Sequence, residues 1–249
     1  MTTELIPPNH LIELIGGGGP EGYKTVGRDF LEIFREYGGL KPTHRILEVG
    51  CGCGSMAMPL TSYLTTGSFE GFDIVPESIR WCQENITPRW PNFTFQHSAL
   101  FNFFYNPEGR IQAKNYRFPY PDDSFDLTVL ISVFTHMLPD DLAHYTREIA
   151  RTLRPDGTAL ITFFILNEES LRLQDMEDSQ VRFQHPFADA QVFVTDPARP
   201  ETVMAYPEGS VRRALKENGL RLREPIHFGS WCGRTDTVTF QDLTVSHKA

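Results

Sequence analysis

The segment from Ile46 to Gly54 constrains the fold of this chain more than any other. It reads ILEVGCGCG, a short apolar run that leads directly into three alternating glycines. This pattern predicts a buried strand followed by a tight turn, because glycine lets the backbone turn sharply and lets a ligand approach it closely. Residues 55–65 carry apolar side chains at four-residue spacing and are predicted as the next helix. Since helix N-termini expose unpaired N–H groups, a nucleotide-like ligand is expected at this turn.

Short apolar runs alternate with helical patterns along most of the chain. Strands are predicted at residues 45–49, 68–74, 92–96, 125–133 and 158–166, and helices at residues 26–37, 55–65, 76–86 and 139–153. This alternation is typical of a parallel sheet with right-handed connections and helices on both faces.

The end of the chain departs from the alternation. After a last predicted helix at 210–218, the apolar runs at 221–228 and 237–246 are joined by too few residues for another helix. Two such strands are most simply antiparallel, which places one reversed strand at an edge of the sheet. The predicted fold class is therefore α/β, a Rossmann-like and mostly parallel seven-stranded sheet with an antiparallel C-terminal hairpin.

Two further segments also fall outside the alternation. Residues 1–40 include a glycine run at 16–19, and residues 167–206 separate the fifth predicted strand from the next helix. Insertions at the second place lie over the carboxyl ends of the strands, where ligands bind in such sheets. We interpret residues 1–249 as one domain in which both segments form a lid over that edge. The alternative is that they only decorate the surface.

Charge and composition limit the partners of the chain. A net charge of −9 argues against nucleic acid as the main partner and favours a small-molecule substrate. The strongly apolar stretches at 127–134 and 159–166 are far shorter than the roughly 20 residues of a membrane span. Residues 1–10 lack the basic-then-apolar pattern of a signal peptide, and four cysteines make no disulfide framework in a chain of 249 residues. A cytoplasmic location is expected.

A carboxylate closes the second predicted strand. Asp73 ends the run FEGFD, 23 positions after Gly50 (73 − 50). At the end of a strand beside a glycine loop, a carboxylate can accept two hydrogen bonds from a ribose diol. The alternative is that Asp73 only caps the helix that begins at Pro76. Because the glycine loop and the acid occur together at this interval, ribose binding is favoured.

The glycine spacing distinguishes two kinds of nucleotide site. In a dinucleotide-binding Gly-x-Gly-x-x-Gly loop the third glycine would fall at residue 55, which is Ser55, whereas this chain has its third glycine at Gly54. Gly-x-Gly-x-Gly preceded by an acid, here Glu48, resembles the class I S-adenosylmethionine-dependent methyltransferases. Residues 118–157 resemble the fourth strand, its helix and the start of the fifth strand in that superfamily. The resemblance covers about residues 26–166 and the terminal hairpin.

The resemblance implies S-adenosylmethionine as cofactor and S-adenosylhomocysteine as product. Members often carry an acid after the third strand that binds the adenine amine, but that position is Ala99 here, so Ser98, Asn102 or a backbone carbonyl is expected to replace it. The cofactor-binding residues that we expect are Tyr23, Arg28, Glu48, Gly50, Cys51, Gly52, Gly54, Asp73, Ile74, Ser98, Ala99, Leu100 and Ser132.

Histidine is the side chain best suited to accept a proton from a hydroxyl near neutral pH. His136 follows the fourth predicted strand, at the edge where cofactor and acceptor should meet. Three interpretations stay open for it: a base toward the substrate, a loop residue packed on the cofactor, or a contact at the N-terminus of the next helix. Ser132 and Thr135 belong to the same turn.

The string HFGSWCGR at 227–234 has an unusual composition for a hairpin connection and resembles a segment of one bacterial subgroup of the superfamily, where it precedes a Gln-Asp pair. Trp231 and Arg234 could contact an acceptor that bears a ring or an acid group. The alternative is that Trp231 fills the core and Arg234 pairs with Asp242.

The leading functional hypothesis is methyl transfer to a small molecule, and a hydroxyl oxygen is the expected acceptor atom because of His136. One alternative is a protein that keeps this fold and binds the cofactor without turnover. Another is a nicotinamide-dependent oxidoreductase. No metal site is expected, since the Cys51 and Cys53 pair lacks both zinc-knuckle spacing and a second cysteine pair.

Overall fold

The computed structural model describes residues 5–16 and 18–249. The described residues form the following strands: β1 (Arg45–Val49), β2 (Ser68–Asp73), β3 (Phe93–His97), β4 (Phe125–Leu130), β5 (Leu153–Phe163), β6 (Ile165–Leu166), β7 (His185–Phe187), β8 (Val192–Val194), β9 (Met204–Pro207), β10 (Leu220–His227) and β11 (Asp242–Lys248). They also form these helices: α1 (Asn9–Leu14), α2 (Gly19–Glu36), α3 (Ala57–Tyr63), α4 (Pro76–Asn85), α5 (Pro139–Thr152), α6 (Glu168–Leu173) and α7 (Glu208–Glu217).

Seven of these strands form one sheet in the order β10-β11-β5-β4-β1-β2-β3. The pairs among β1 to β5 are parallel, and β11 is antiparallel to both β5 and β10. The predicted fold class is confirmed. One detail was wrong: the reversed strand β11 lies one place in from the edge, because β10 pairs along its outer side.

The order of the strands follows from what each can bury. Central strand β1 places Ile46 and Leu47 in two different apolar clusters, one on each face of the sheet. On one face, α5 packs Leu142, Tyr145 and Ile149 into the core at the spacing of a helical stripe. A strand that is buried on both faces needs a continuous apolar run, which explains why β1 and β4 are so apolar.

Three predicted strand limits were wrong. The run at 125–133 ends as a strand at Leu130, because Ser132 takes a left-handed backbone with φ of 59°. The run at 158–166 begins already at Leu153 and is divided after Phe163, where the Asp242 carboxylate accepts the N–H of Ile165. The run at 237–246 pairs only from Asp242 onward.

The two segments outside the alternation have structure of their own. The segment 1–40 contains α1 and α2, and residues 1–4 and 17 of it lie outside the described residues. The segment 167–206 contains α6 and strands of a second sheet with the order β6-β9-β8-β7. Both segments contribute residues to the cavity described next.

Candidate active site

A cavity of about 640 Å³ lies at the carboxyl ends of β1, β2 and β4. The loops that follow these three strands, residues 50–52, 74–75 and 131–133, all line it. Parallel strands present their carboxyl ends at one edge, and this edge is where α/β sheets bind ligands. The cavity is therefore the expected place for a nucleoside cofactor.

The glycine loop forms one wall of the cavity with bare backbone. Gly50 and Gly52 have φ of 77° and 51°, which other residues rarely adopt. A Cβ atom at Gly50 would lie 2.4 Å from Cγ2 of Val133, and one at Gly52 would lie 2.6 Å from Cγ2 of Ile15. The loop is thus packed from both sides, and only glycine fits at these two positions.

Asp73 both holds the glycine loop and faces the cavity. Its Oδ2 accepts the N–H of Gly52 at 2.8 Å, and its Oδ1 accepts the N–H of Val75 at 2.8 Å. Burial raises the pKa of the carboxyl, and these N–H donors oppose the rise. The same side chain therefore fixes the backbone before α4, holds the glycine loop and lines the cavity.

Glu48 is a buried acid with an unused oxygen. It is 2% exposed, it lines the cavity, and its Oε2 has no hydrogen-bond partner among residues 5–16 and 18–249. Burial and the neighbouring Asp73 raise the pKa of Glu48 well above its ordinary value. Because an unpaired buried carboxyl is costly, Glu48 fits a cofactor that brings a polar or cationic group to it. Together with the glycine loop, it fits the ammonium-bearing end of S-adenosylmethionine.

His136 marks a second end of the cavity. It lies in a 3₁₀ turn, Phe134–His136, after β4. Its Nδ1 is 3.1 Å from the carbonyl oxygen of Glu201, so Nδ1 carries the proton and donates it there. The Tyr105 hydroxyl is 3.5 Å from Nε2. Burial lowers the pKa of His136, which favours the neutral ring, and in that form the proton on Nδ1 leaves the lone pair at Nε2.

Acidic side chains accompany His136 at this end. Asp141 and Glu201 line the cavity, and burial raises the pKa of each. Asp141 accepts the N–H of Lys114 at 2.8 Å, and Glu201 accepts the N–H of Phe103 at 3.3 Å. Both carboxyls therefore also fix the loops around this end.

A ring of hydrogen bonds holds the turn after β4. The Ser132 N–H donates to the Thr162 hydroxyl at 2.8 Å, which donates to Oε1 of Gln241 at 2.6 Å. Nε2 of Gln241 donates back to the Ser132 hydroxyl at 2.9 Å. All three side chains line the cavity, and Ser132 has a positive φ without being glycine. Such strained backbone persists only where its surroundings fix it.

The structure brings many of the expected site residues to this cavity. Those that line it are Tyr23, Glu48, Gly50, Cys51, Gly52, Asp73, Ile74, Leu100, Ser132 and His136. Five others do not. Arg28 is exposed and bonds to Thr25, Gly54 packs beneath the loop on Ile86, and the Ser98 hydroxyl bonds to that of Tyr116.

Trp231 and Arg234 are likewise outside the cavity. Trp231 is fully buried and donates its ring N–H to the Asp242 carboxylate at 2.9 Å. Arg234 reaches Glu169 at 2.7 Å and Asp242 at 3.5 Å. These contacts correspond to the alternative of a core tryptophan and an arginine paired with Asp242. Ala99, the remaining expected residue, presents its carbonyl to the backbone of Arg110 and Ile111.

Sequence reasoning missed several cavity residues. Tyr105, Asp141, Thr162, Glu201 and Gln241 come from five separate segments. The sequence marks only two of them locally. Gln241 belongs to the Gln-Asp pair that follows the HFGSWCGR string, and Asp141 follows the proline that begins α5. Of the two polar side chains expected near the third strand, Asn102 lines the cavity and Ser98 does not; the Oδ1 of Asn102 accepts the N–H groups of residues 104 and 105.

Within residues 5–16 and 18–249, no group of three or more His, Cys, Asp or Glu side chains could hold a metal ion. None of the helices in the same ranges is long and apolar enough to cross a membrane.

Comparison with known proteins agrees with this geometry. Residues 47–161 match the methyltransferase domain family. Over 135 residues, or 52% of its length, the chain is 28% identical to a tRNA N(3)-cytidine methyltransferase of Gallus gallus. The match covers 33% of that relative. It is 33% identical over 113 residues to the phthiotriol/phenolphthiotriol dimycocerosates methyltransferase of Mycobacterium leprae, covering 45% of this chain and 35% of that one. The matches thus span about a third of the curated relatives.

Among solved structures, the PH0226 protein of Pyrococcus horikoshii superposes with a TM-score of 0.62 over 92% of both chains, at 19% identity. This sheet order, with a glycine loop and an acid at the end of its second strand, is similar to the fold of S-adenosylmethionine-dependent methyltransferases. The methyltransferase domain family matches 115 of the 249 residues of the chain, and S-adenosylmethionine is the cofactor that this match implies.

Proposed function

We propose that the chain transfers a methyl group from S-adenosylmethionine to a hydroxyl oxygen of a small molecule, with His136 as general base. The observation that carries the proposal is the Nδ1 contact of His136 with the Glu201 carbonyl, which leaves Nε2 unprotonated beside Tyr105. A ring held in this tautomer is suited to accept a proton.

The cofactor supplies an electrophilic methyl group, so the residues of the chain mainly bind, orient and exclude water. Glu48, Asp73 and the glycine loop would hold the cofactor at one end of the cavity. At the other end, His136 accepts the proton of the acceptor hydroxyl at Nε2. The hydroxyl of Tyr105 is at the limit of hydrogen-bond length from that atom, so an acceptor can displace it.

Charge supports a small-molecule acceptor over a nucleic acid, although several relatives are tRNA N(3)-cytidine methyltransferases. The chain has a net charge of −9, whereas proteins that bind a phosphate backbone present clustered lysine and arginine. We also interpret segments 1–40 and 167–206 as a lid, because residues 14–16 and Glu201 from them line the cavity. The four cysteines are free and buried, which supports a reducing, cytoplasmic location.

The test has two stages. Calorimetry with S-adenosylhomocysteine is expected to give saturable binding, and NADH is expected to give none. Labelled methyl transfer is then measured against alcohols, phenols, amines and carboxylates, and products from hydroxyl compounds are expected. Methylation of amines alone would contradict the oxygen assignment. Cofactor binding without methylation of any compound would favour the binding-protein alternative.

A further inference from the structure

The exposed apolar side chains of the protein are concentrated around the cavity. Among the described residues, eight large hydrophobic side chains are exposed. Three of them line the cavity directly: Leu14, Val26 and Phe240. Clusters of exposed apolar surface with polar surroundings commonly mark binding sites.

Three more belong to the loop beside the cavity. Phe103 and Phe104 are 57% and 56% exposed, and they lie between Asn102 and Tyr105, which both line the cavity. The Asn102 carboxamide accepts the Phe104 N–H at 3.0 Å, so the loop is held in this form. Ile111 is likewise adjacent to a lining residue. We call the six side chains the apolar rim: Leu14, Val26, Phe103, Phe104, Ile111 and Phe240.

The cavity beside the apolar rim is lined by acidic side chains. Its titratable lining includes the acids Asp29, Glu48, Asp73, Asp141 and Glu201. Among the described residues that line it, none is lysine or arginine. An anionic acceptor would meet carboxyl groups with no cation to pair with, which disfavours it. An uncharged acceptor meets no such penalty.

We propose that the acceptor is amphipathic and carries no negative charge, with its hydroxyl at His136 and an apolar body lying across the apolar rim. The inference rests on the proposed function and adds the class of substrate. The occupant of the rim is the acceptor itself, because the rim is continuous with the cavity that holds the reacting end. Burial of apolar surface then supplies affinity that the charges of the cavity do not.

The inference is tested with 4-alkylphenols that bear chains of one to eight carbons. Their binding to the protein loaded with S-adenosylhomocysteine is measured by calorimetry. Each added methylene that reaches the rim is expected to lower Kd about fourfold. The matching 4-alkylbenzoates are expected to bind at least about tenfold more weakly than the phenols, because the cavity offers them no cation.

Rim variants and matched controls locate the effect. Phe104→Ser and Phe240→Ser should flatten the dependence of Kd on chain length. Leu171→Ser and Met176→Ser change exposed apolar residues, 46% and 56% exposed, that do not line the cavity, and both should leave it unchanged. All four variants should keep the affinity for S-adenosylhomocysteine.

Three results would overturn the inference. The first is a Kd that does not change with chain length, or no phenol binding at all. The second is a control variant that loses the dependence of Kd on chain length as much as the rim variants do. The third is binding to zwitterionic phosphatidylcholine vesicles, which have no net charge, that the rim variants abolish while phenol affinity stays intact, since the rim would then contact a membrane. Phenols that bind with the expected dependence but are never methylated support the inference and count instead against the proposed O-methylation.

Discussion

The two ends of the cavity are built in different ways. At the cofactor end, the wall is backbone: Gly50 and Gly52 turn directly out of β1, and Asp73 ends the adjacent strand. At the acceptor end, the wall consists of side chains from loops and insertions, among them Tyr105 and His136. The first end is built mainly on strand ends of the sheet, with Ile15 and Val133 packed on its glycine loop, whereas the second depends on segments that can vary without disturbing the sheet.

The two ends also use titratable groups differently. Glu48 lies at the cofactor end near Asp73, with a raised pKa and an oxygen that no described residue bonds. His136 is bonded to the Glu201 carbonyl, which belongs to the segment 167–206. The segment 167–206 therefore contributes to the tautomer of the candidate base through the Glu201 carbonyl. Changes at the two ends should therefore affect different measured quantities.

The largest separation is expected from His136→Ala. Removal of a general base typically lowers turnover by about 10²- to 10⁴-fold, so kcat should fall in this range. Calorimetric affinity for S-adenosylhomocysteine should stay nearly constant, because the ring lies at the other end of the cavity. Tyr105→Phe serves as the control, since it removes only a hydroxyl 3.5 Å from Nε2 and should change kcat far less. A parallel loss of cofactor affinity in His136→Ala would instead assign the ring to packing on the cofactor.

Asp73→Ala should show the opposite pattern. Loss of charge-assisted hydrogen bonds is expected to weaken cofactor binding at least tenfold, about 1.4 kcal/mol. Because Asp73 also accepts the N–H of Gly52, melting of the protein without cofactor must be measured alongside. Unchanged calorimetric affinity for S-adenosylhomocysteine would remove Asp73 from ribose binding and leave it only the two backbone contacts.

The cofactor end could be predicted because its signals are local. Gly50, Gly52 and Asp73 follow strands that their own apolar runs define, and the parallel register of β1 with β2 brings the strand ends together. The fold class followed from the same runs. Local sequence sufficed here because backbone geometry, rather than side-chain packing, shapes this wall.

The acceptor end could not be predicted in the same way. The His136 tautomer depends on Glu201, 65 residues away, and the Ser132 turn depends on Gln241, 109 residues away. Such pairs are set by the connection of β10 to β11 and by the second sheet, for which the sequence carries no periodic signal. Trp231 is the opposite case. The unusual composition of residues 227–234 suggested a contact with the acceptor, whereas the Trp231 ring N–H makes a buried hydrogen bond to Asp242.

Gln241→Ala tests whether the strained turn belongs with the cofactor end or the acceptor end. Loss of the hydrogen bonds that hold Ser132 should change kcat/KM by roughly two- to tenfold, since each is worth about 0.5–1.5 kcal/mol. Thr162→Ser is the matched control, because it keeps the hydroxyl between the Ser132 N–H and Gln241. A change confined to cofactor affinity would show that the hydrogen bonds among Ser132, Thr162 and Gln241 support the cofactor end. Equal loss in Thr162→Ser would show that packing, not the hydrogen bonds, holds the turn.

The smallest expected effect is a shift in the pH at which kcat rises to its plateau. Protonated imidazole cannot act as base, so kcat should rise with pH through the pKa of His136 and then level off. Burial outweighs the hydrogen bond to Glu201 and lowers this pKa, so the midpoint should fall below the ordinary value of 6.5. The neighbouring carboxyls of Asp141 and Glu201 would, where ionised, act in the opposite direction. Measured at saturating cofactor and acceptor, a midpoint at or above 6.5 would show that these acids dominate, and a limb that persists in His136→Ala would belong to another group.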